Sequence, residues 1–276
     1  MTQGPQAALL PDGRRLHLHH GPIDLIIEAT GRAREAAYAR AVDRFDTLLA
    51  RLVEELPALR RPLDGSAFEG PVARRMARAV KPFADTFVTP MAAVAGAVAD
   101  EMLAALVGDA EIEKAYVNNG GDIAFHLARG QTVTSLSPAG DIRITAESPS
   151  RGLATSGWRG RSHSLGIADA VTVAAQTAAA ADVAATLIAN TVDLPGHPAI
   201  DRVPASDLSP DSDLGNLLVT TGVASLTSKE TKSAIVRGMR IAEGFVESGL
   251  IHEAALALNG FAATTVTSKE STLTHA

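Results

Sequence analysis

Two segments built almost wholly from small and apolar residues, MAAVAGAVADEMLAALV at 91–107 and AAAADVAATLIAN at 178–190, constrain this chain more than any other feature. Their apolar positions go all the way round the helical circumference, as in helices buried on every side. Ala and Gly give them little side-chain volume, so they are expected to bury themselves by close backbone contact. They are too short and too Ala-rich to be read as membrane spans. Aromatic residues make up 4% of the 276, which leaves Ala, Val, Leu and Ile to build the core.

The rest of the chain supplies strands. Leu10 to Ala29 alternates around Asp12-Gly13 and Gly21-Pro22 and predicts a β-hairpin. Ala36, Ala39, Val42, Phe45, Leu48, Leu49 and Leu52 then recur at helical spacing up to Pro57, which predicts one long helix. Residues 71–81 are basic and helical in period, and FADTFVT between Pro82 and Pro90 reads as a short extended piece. KAYVNN, IAFHLA, TVTSL and DIRITAE, separated by Gly120-Gly121, Gly130 and Pro138-Ala139-Gly140, predict an antiparallel meander, and DAVTVAAQ adds a strand. Residues 191–215, rich in Asp, Pro and Ser, read as a long surface excursion before the strand NLLVTTG. A helix near 230–248 and a strand near 254–258 close the pattern. Helices and strands mix without βαβ alternation, so the fold class is α+β with a largely antiparallel sheet and packed Ala-rich helices. It spans 1–276 as one domain or as two closely joined lobes.

A net charge of −6 gives no overall attraction to phosphate backbones or anionic lipid, so neither nucleic acid nor membrane is expected as a partner. The first residues hold no long apolar run after a basic start, and the chain reads as soluble and cytoplasmic. With no cysteine there is no thiolate metal site and no cysteine nucleophile. Stripes of small residues could also serve a homo-oligomer or a partner enzyme.

Three constellations carry chemistry. Asn118-Asn119-Gly120-Gly121-Asp122 follows a strand with two glycines that tolerate positive φ and bring N–H groups close to a ligand, with Asp122 able to hold a cation or a ribose hydroxyl. By itself the run reads as a hairpin turn. Thr155-Ser156-Gly157-Trp158-Arg159-Gly160-Arg161-Ser162-His163 could clamp phosphate through Arg159 and Arg161 and stack a ring on Trp158, or be a surface turn. Ser156 with His163 as base lacks the strand-nucleophile-helix elbow that such a pair needs. Asp182 and Thr186 lie four apart on one helix face, where two hard oxygens suit Mg²⁺ or Ca²⁺. The alternative is that Asp182 caps its helix and Thr186 bonds back within it. Outside these, His17 and His19 form an H-x-H on a strand, either a zinc pair or a solvent face. Asp207, Asp211 and Asp213 read as turn chemistry or a Ca²⁺ loop lacking the EF-hand glycine and glutamate.

Taken in order, these pieces resemble the ApbE superfamily of flavin-handling enzymes. Its flavin transferases carry an Ala-Lys-Gly helix, an N-x-GGD turn, a TSG loop, an H-x-x-D-P segment and a closing A-D-x-x-x-T. Val94-Ala95-Gly96, Asn118 to Asp122, Thr155 to Gly157, His163, and Asp182 with Thr186 stand at the corresponding points. The resemblance implies an ApbE-like fold, FAD or FMN as cofactor, and Mg²⁺ held against the FAD pyrophosphate by Asp182, Thr186 and a carbonyl at Ala95. The flavin or nucleotide would lie against Asn118, Asn119, Gly120, Gly121, Asp122, Thr155, Ser156, Gly157, Arg159, Arg161 and His163.

Departures narrow what this implies. Ala95 replaces the motif lysine, and His163-Ser164-Leu165-Gly166-Ile167-Ala168-Asp169-Ala170 replaces H-x-x-D-P-x-T-G, both pointing away from standard FMN transfer. HSLGIADAVTVAA and DSDLGNLLVT are instead similar to ApbE-like proteins of archaea and proteobacteria, one archaeal branch of which is associated with assembling homocysteine from sulfide. That likeness implies a metabolic enzyme linked to sulfur or amino-acid metabolism, with a metal-supported pocket for a flavin, nucleotide or other anionic small molecule. The alternatives are a non-catalytic ligand-binding or accessory protein on the same fold, and a zinc hydrolase on His17 and His19.

Overall fold

The computed structural model describes residues 4–108, 111–136 and 141–266. The chain begins with three antiparallel strands, β1 (Gln6–Leu9), β2 (Leu16–His20) and β3 (Ile23–Thr30). Gly13 and Gly21, at φ +65° and +58°, make the two turns that the sequence punctuates. Strand β1, fully exposed and short, lies outside the predicted hairpin.

The long helix predicted next is three pieces, α1 (Arg34–Phe45), α2 (Leu48–Glu54) and α3 (Leu56–Leu59). Asp46 and Thr47, both weak helix formers, interrupt the first join, and Pro57, which has no N–H to continue α2, sits in the first turn of α3. Helix α4 (Pro71–Val80) follows as expected. FADTFVT is a correction: it runs from the 3₁₀ turn Lys81–Phe83 into an irregular link, pairs with no strand, and ends where Thr89 Oγ1 accepts from Met91 N at 3.2 Å to start the 3₁₀ turn Pro90–Ala93.

Helix α5 (Val94–Val107) leads into β4 (Lys114–Asn119) and β5 (Asp122–Leu127), a hairpin in register from Lys114 opposite Leu127 to Asn119 opposite Asp122. The meander stops there. β6 (Thr132–Ser135) and β7 (Ile142–Thr145) pair only with each other, while Pro138-Ala139-Gly140 lies outside the described residues. Strand β8 (Gly152–Ser156) takes the place beside β5, so Thr155 and Ser156 end a strand instead of lying in a loop. Then come β9 (Ala170–Ala175) and α6 (Ala178–Thr191). The excursion has structure of its own, β10 (Ile200–Pro204) and α7 (Ala205–Leu208), with β10 pairing β11 (Leu218–Val223). Helix α8 (Ser228–Glu247) opens on a capping box between Thr227 and Glu230, and β12 (Glu253–Leu258) and β13 (Phe261–Thr264) finish the described chain.

Nine strands form one antiparallel sheet in the order β1-β2-β3-β4-β5-β8-β9-β12-β13. Strand alternation sends Ile27, Val117, Ala124, Ala154 and Val173 toward the helices, into the larger core cluster. Phe125, Leu127 and Leu153 face the other way and meet Ile142 and Ile144 of the β6–β7 ribbon. Helix α5 packs over β4 and β5, and α6 over β8 and β9. The stretch Pro90–Val107 is long and apolar enough, by length and composition, to cross a membrane; here it is a core helix against the sheet and α6.

The Ala-rich helices do meet backbone to backbone. A Cβ at Gly96 would stand 2.3 Å from the Ala178 carbonyl oxygen, and one at Gly152 would stand 2.0 Å from Ala178 N. The first turn of α6 is therefore pressed between α5 and β8 with no room for a methyl on either partner.

Candidate functional site

The site lies where the β4–β5 turn meets the start of α5 and the middle of α6. Ala115 and Val117 point at the helices, so Asn119 does too, and across the hairpin Asp122 shares the inward face with Ala124. Gly120 and Gly121 turn at φ +66° and +114°, and Gly121 N donates to Asn118 Oδ1 at 2.8 Å. The GGD run is thus a hairpin turn, and that turn delivers Asp122 and Asn119 to the helices. Asn119 Nδ2 donates to the Ala95 carbonyl at 3.1 Å, tying the sheet to α5.

Helices α5 and α6 close each other's N-termini. Gly96 N, an unpaired donor in the first turn of α5, donates to Asp182 Oδ2 of α6 at 3.0 Å. Ala178 N and Ala179 N, in the first turn of α6, donate to the two carboxylate oxygens of Asp100 of α5 at 3.0 and 2.9 Å. Asp182 is therefore a cap, as one reading of the sequence has it, but of the neighbouring helix. The N-cap of α6 is Thr177, which accepts from Ala180 N at 3.1 Å.

Burial raises the pKa of Asp182 well above the usual carboxylate range, and the nearby Asp122 raises it further, against the lowering by the α5 N–H groups. Asp122 is itself pushed up to about 7, again mainly by burial, with a 3.3 Å hydrogen bond from Thr155 N and the Arg161 charge pulling the other way. The two acids form a coupled pair that resists carrying two negative charges.

Two cavities open here, one of about 350 Å³ on both acids and one of about 300 Å³ on Asp122. Asp182, Thr186 and His163 line the first, Asn119, Gly120, Thr155, Ser156, Gly157 and Arg159 the second, and Ala95, Asp122, Arg161 and Ser162 line both. The Arg161 guanidinium lies over the turn, for a Cβ at Gly120 would be 2.1 Å from its terminal nitrogen. Asp122, Asp182, the Thr186 hydroxyl and the Ala95 carbonyl offer only hard oxygens, a donor set that fits Mg²⁺ or Ca²⁺ far better than zinc.

Other expectations fare differently. Trp158 lines neither cavity, and the Arg159 guanidinium stacks on it at 4.5 Å while Arg159 Nε donates to Asp169 Oδ1 at 2.9 Å. Arg159 thus has its Nε engaged by Asp169, whereas Arg161, which lines both cavities, and Arg60, which lines the first, are in no ion pair among the described residues. Ser156 and His163 line different cavities with no hydrogen bond between them. His17 pairs with Asp24 at 3.1 Å, its ring 6.3 Å from His19, and among the described residues no three His or acidic side chains cluster as a metal site. Among the described residues this strand offers no third ligand for a zinc ion.

Sequence reasoning missed Asp100 and undervalued Asp211 and Asp213. The adjacent acids Asp100 and Glu101 in an otherwise apolar helix were the available signal, since such groups are buried only with partners. Asp211 and Asp213 line the first cavity, and Thr89 Oγ1 donates to Asp213, which fastens that loop to the start of α5. No local pattern joins residues 124 positions apart.

Sheet, capped helix pair and acidic cavities together define an α+β protein with a pocket between sheet turn and helix ends. Comparison with known families places it further: the model described as AbpE bacteria matches residues 7–265, and the chain belongs to that family. It is similar to a UPF0280 protein of Methanopyrus kandleri, 38% identical over 178 residues, 60% of this chain and 69% of that protein. It is also similar to UPF0280 proteins of Methanothermobacter thermautotrophicus, 40% over 135 residues, and Methanothrix thermoacetophila, 38% over 128 residues. Those matches cover 46% and 44% of this chain and about half of each relative, 51% and 52%.

Proposed function

We propose that this chain binds an anionic, phosphorylated small molecule, a flavin nucleotide in first place, together with a hard divalent cation, as a divergent relative of the ApbE superfamily. The observation that carries the reading is the Asp122–Asp182 pair: two carboxylates of raised pKa, facing one cavity, whose mutual repulsion a divalent cation would relieve. Asp182, Asp122, the Thr186 hydroxyl and the Ala95 carbonyl would hold the ion. When bound, the ion supplies positive charge for a diphosphate oxygen. Arg161 and the Gly120–Gly121 turn would meet the remaining phosphate charge, and a pair of adjoining cavities suits an extended ligand better than a compact one.

Binding without group transfer is the favoured form, because Ser156 and His163 line separate cavities and Ala95 stands where the transferase motif has lysine. The experiment is an FAD titration, followed by flavin fluorescence, with and without Mg²⁺, on the wild type and on Asp182→Asn, which keeps an acceptor for Gly96 N. Mg²⁺ should tighten wild-type binding, and the variant should lose about tenfold or more of that gain while melting cooperatively. No FAD binding under either condition rejects the flavin reading, and unchanged Mg²⁺ dependence in Asp182→Asn removes Asp182 from the ion.

A further inference from the structure

A third cavity, of about 260 Å³, shares no lining residue with the two above. Arg75 and Arg78 of α4, Phe83, the first turn of α6 from Thr177, and Leu250 with His252 before β12 enclose it. We propose that it is a second binding site, for a small oxyanion, a carboxylate or phosphate monoester, carried on a compact apolar body.

The charges support an anion. Arg78 is exposed and has no carboxylate partner among the described residues. Arg75 commits Nε to Glu101 Oε2 at 3.0 Å, and Glu101 is shared with Arg44 at 2.9 Å, so one acid faces two guanidiniums and the cluster keeps a net positive charge. The one carboxylate lining the cavity, Asp100, has both oxygens engaged by Ala178 N and Ala179 N, beside the positive end of α6. The remaining polar lining is uncharged: Gln176, Thr177 and His252, whose Nδ1 is bonded to Ser150 Oγ at 2.7 Å. A guanidinium pair with terminal nitrogens to spare is suited to a planar or tetrahedral oxyanion.

The apolar body follows from the rest of the wall. Phe83 packs edge-on against Phe245 at 5.0 Å, which fixes its ring, and Pro82, Ala79, Ala180 and Leu250 continue the same surface. The volume is below that of a site for a nucleotide and fits one ring or a short branched chain. This site stands apart from the proposed flavin pocket and does not depend on it.

Calorimetric titration of the full chain with phenyl phosphate, benzoate and neutral benzyl alcohol tests the proposal. Phenyl phosphate or benzoate should saturate one site, with benzyl alcohol much weaker, and Arg78→Ala should weaken the anion by about tenfold or more. Arg161→Ala, in the other pocket, should leave that affinity unchanged. Preference between the two anions identifies phosphate or carboxylate as the head group. Arg78→Gln repeats the test should the alanine variant melt early. Absence of saturation by either anion, equal binding of benzyl alcohol, persistence in both Arg78 variants, or loss in Arg161→Ala each overturns the assignment.

Discussion

Gly96→Ala puts the α5–α6 crossing under direct strain. The new Cβ would lie 2.3 Å from the Ala178 carbonyl oxygen, 2.4 Å from its carbon and 2.7 Å from Ala179 N, so the helices must part by about 1 Å to restore ordinary contact. Overpacking a tight core costs about 1–3 kcal/mol, and backbone on both sides puts this case at the upper end. The same seam carries the Gly96 bond to Asp182 and the two bonds to Asp100, each worth about 0.5–1.5 kcal/mol as ordinary hydrogen bonds. Opposing this, alanine gains about 1 kcal/mol over glycine inside a helix. The loss therefore wins by about 2 kcal/mol or more, which in a chain of this size lowers Tm by about 4–8 °C. Thermal unfolding followed by circular dichroism reads it. Gly244→Ala supplies the control, since that exposed glycine of α8 has nothing within 4 Å of its would-be Cβ and should raise Tm slightly. A Gly96→Ala protein that melts at or above wild type, as Gly244→Ala should, would refute the close crossing.

Two further outcomes follow from the acidic pair and the turn. Asp122 and Asp182 hold protons in the folded state that the unfolded chain releases near pH 4, so their contribution favours folding at low pH and is lost as pH rises through about 7. Tm should be higher at about pH 5.5 than at pH 8, with a smaller gap in Asp122→Asn; an equal gap removes this pair as the cause. Gly120→Ala must hold φ +66° at a cost of about 1 kcal/mol and push the Arg161 guanidinium off the turn, so pyrophosphate affinity should fall, while Gly121→Ala, with nothing near its Cβ, should suffer backbone strain alone. Equal affinities measured for both variants would take Arg161 out of ligand binding.

Much of the site could be read from residue type and order because its parts are local. A strand ending in two glycines must turn, and the pleat then dictates that Asn119 and Asp122 share a face. Ala-rich helices must approach by their backbones, and Gly96 does so. What the sequence hid depends on partners far along the chain. Asp182 looks like the cap of its own helix, and only the crossing shows that it serves α5. Thr155 and Ser156 read as loop residues because β8 is short and Gly-led, and its pairing with β5 and β9 is what makes it a strand. The β6–β7 ribbon alternates as well as any strand of the main sheet, and periodicity carries no information on which neighbour a strand chooses. Arg159 and Arg161 are chemically alike, yet one is held by Asp169 and Trp158 and the other lies over Gly120 with no ion pair among the described residues.

The exchange of carboxylates between α5 and α6 bears on how this family's descent should be read. An acid that closes a helix end is kept by selection for folding alone, whether or not any ligand is ever bound. A lineage that abandoned its chemistry would still carry Asp182, Asp100 and Gly96, and would still match the motif. Thr186, Arg161 and His163, whose side chains make no hydrogen bond within the described residues, have no such second duty. If the proposed ligand reading holds, drift at those three positions against constancy at the joint would mark branches that no longer use the pocket.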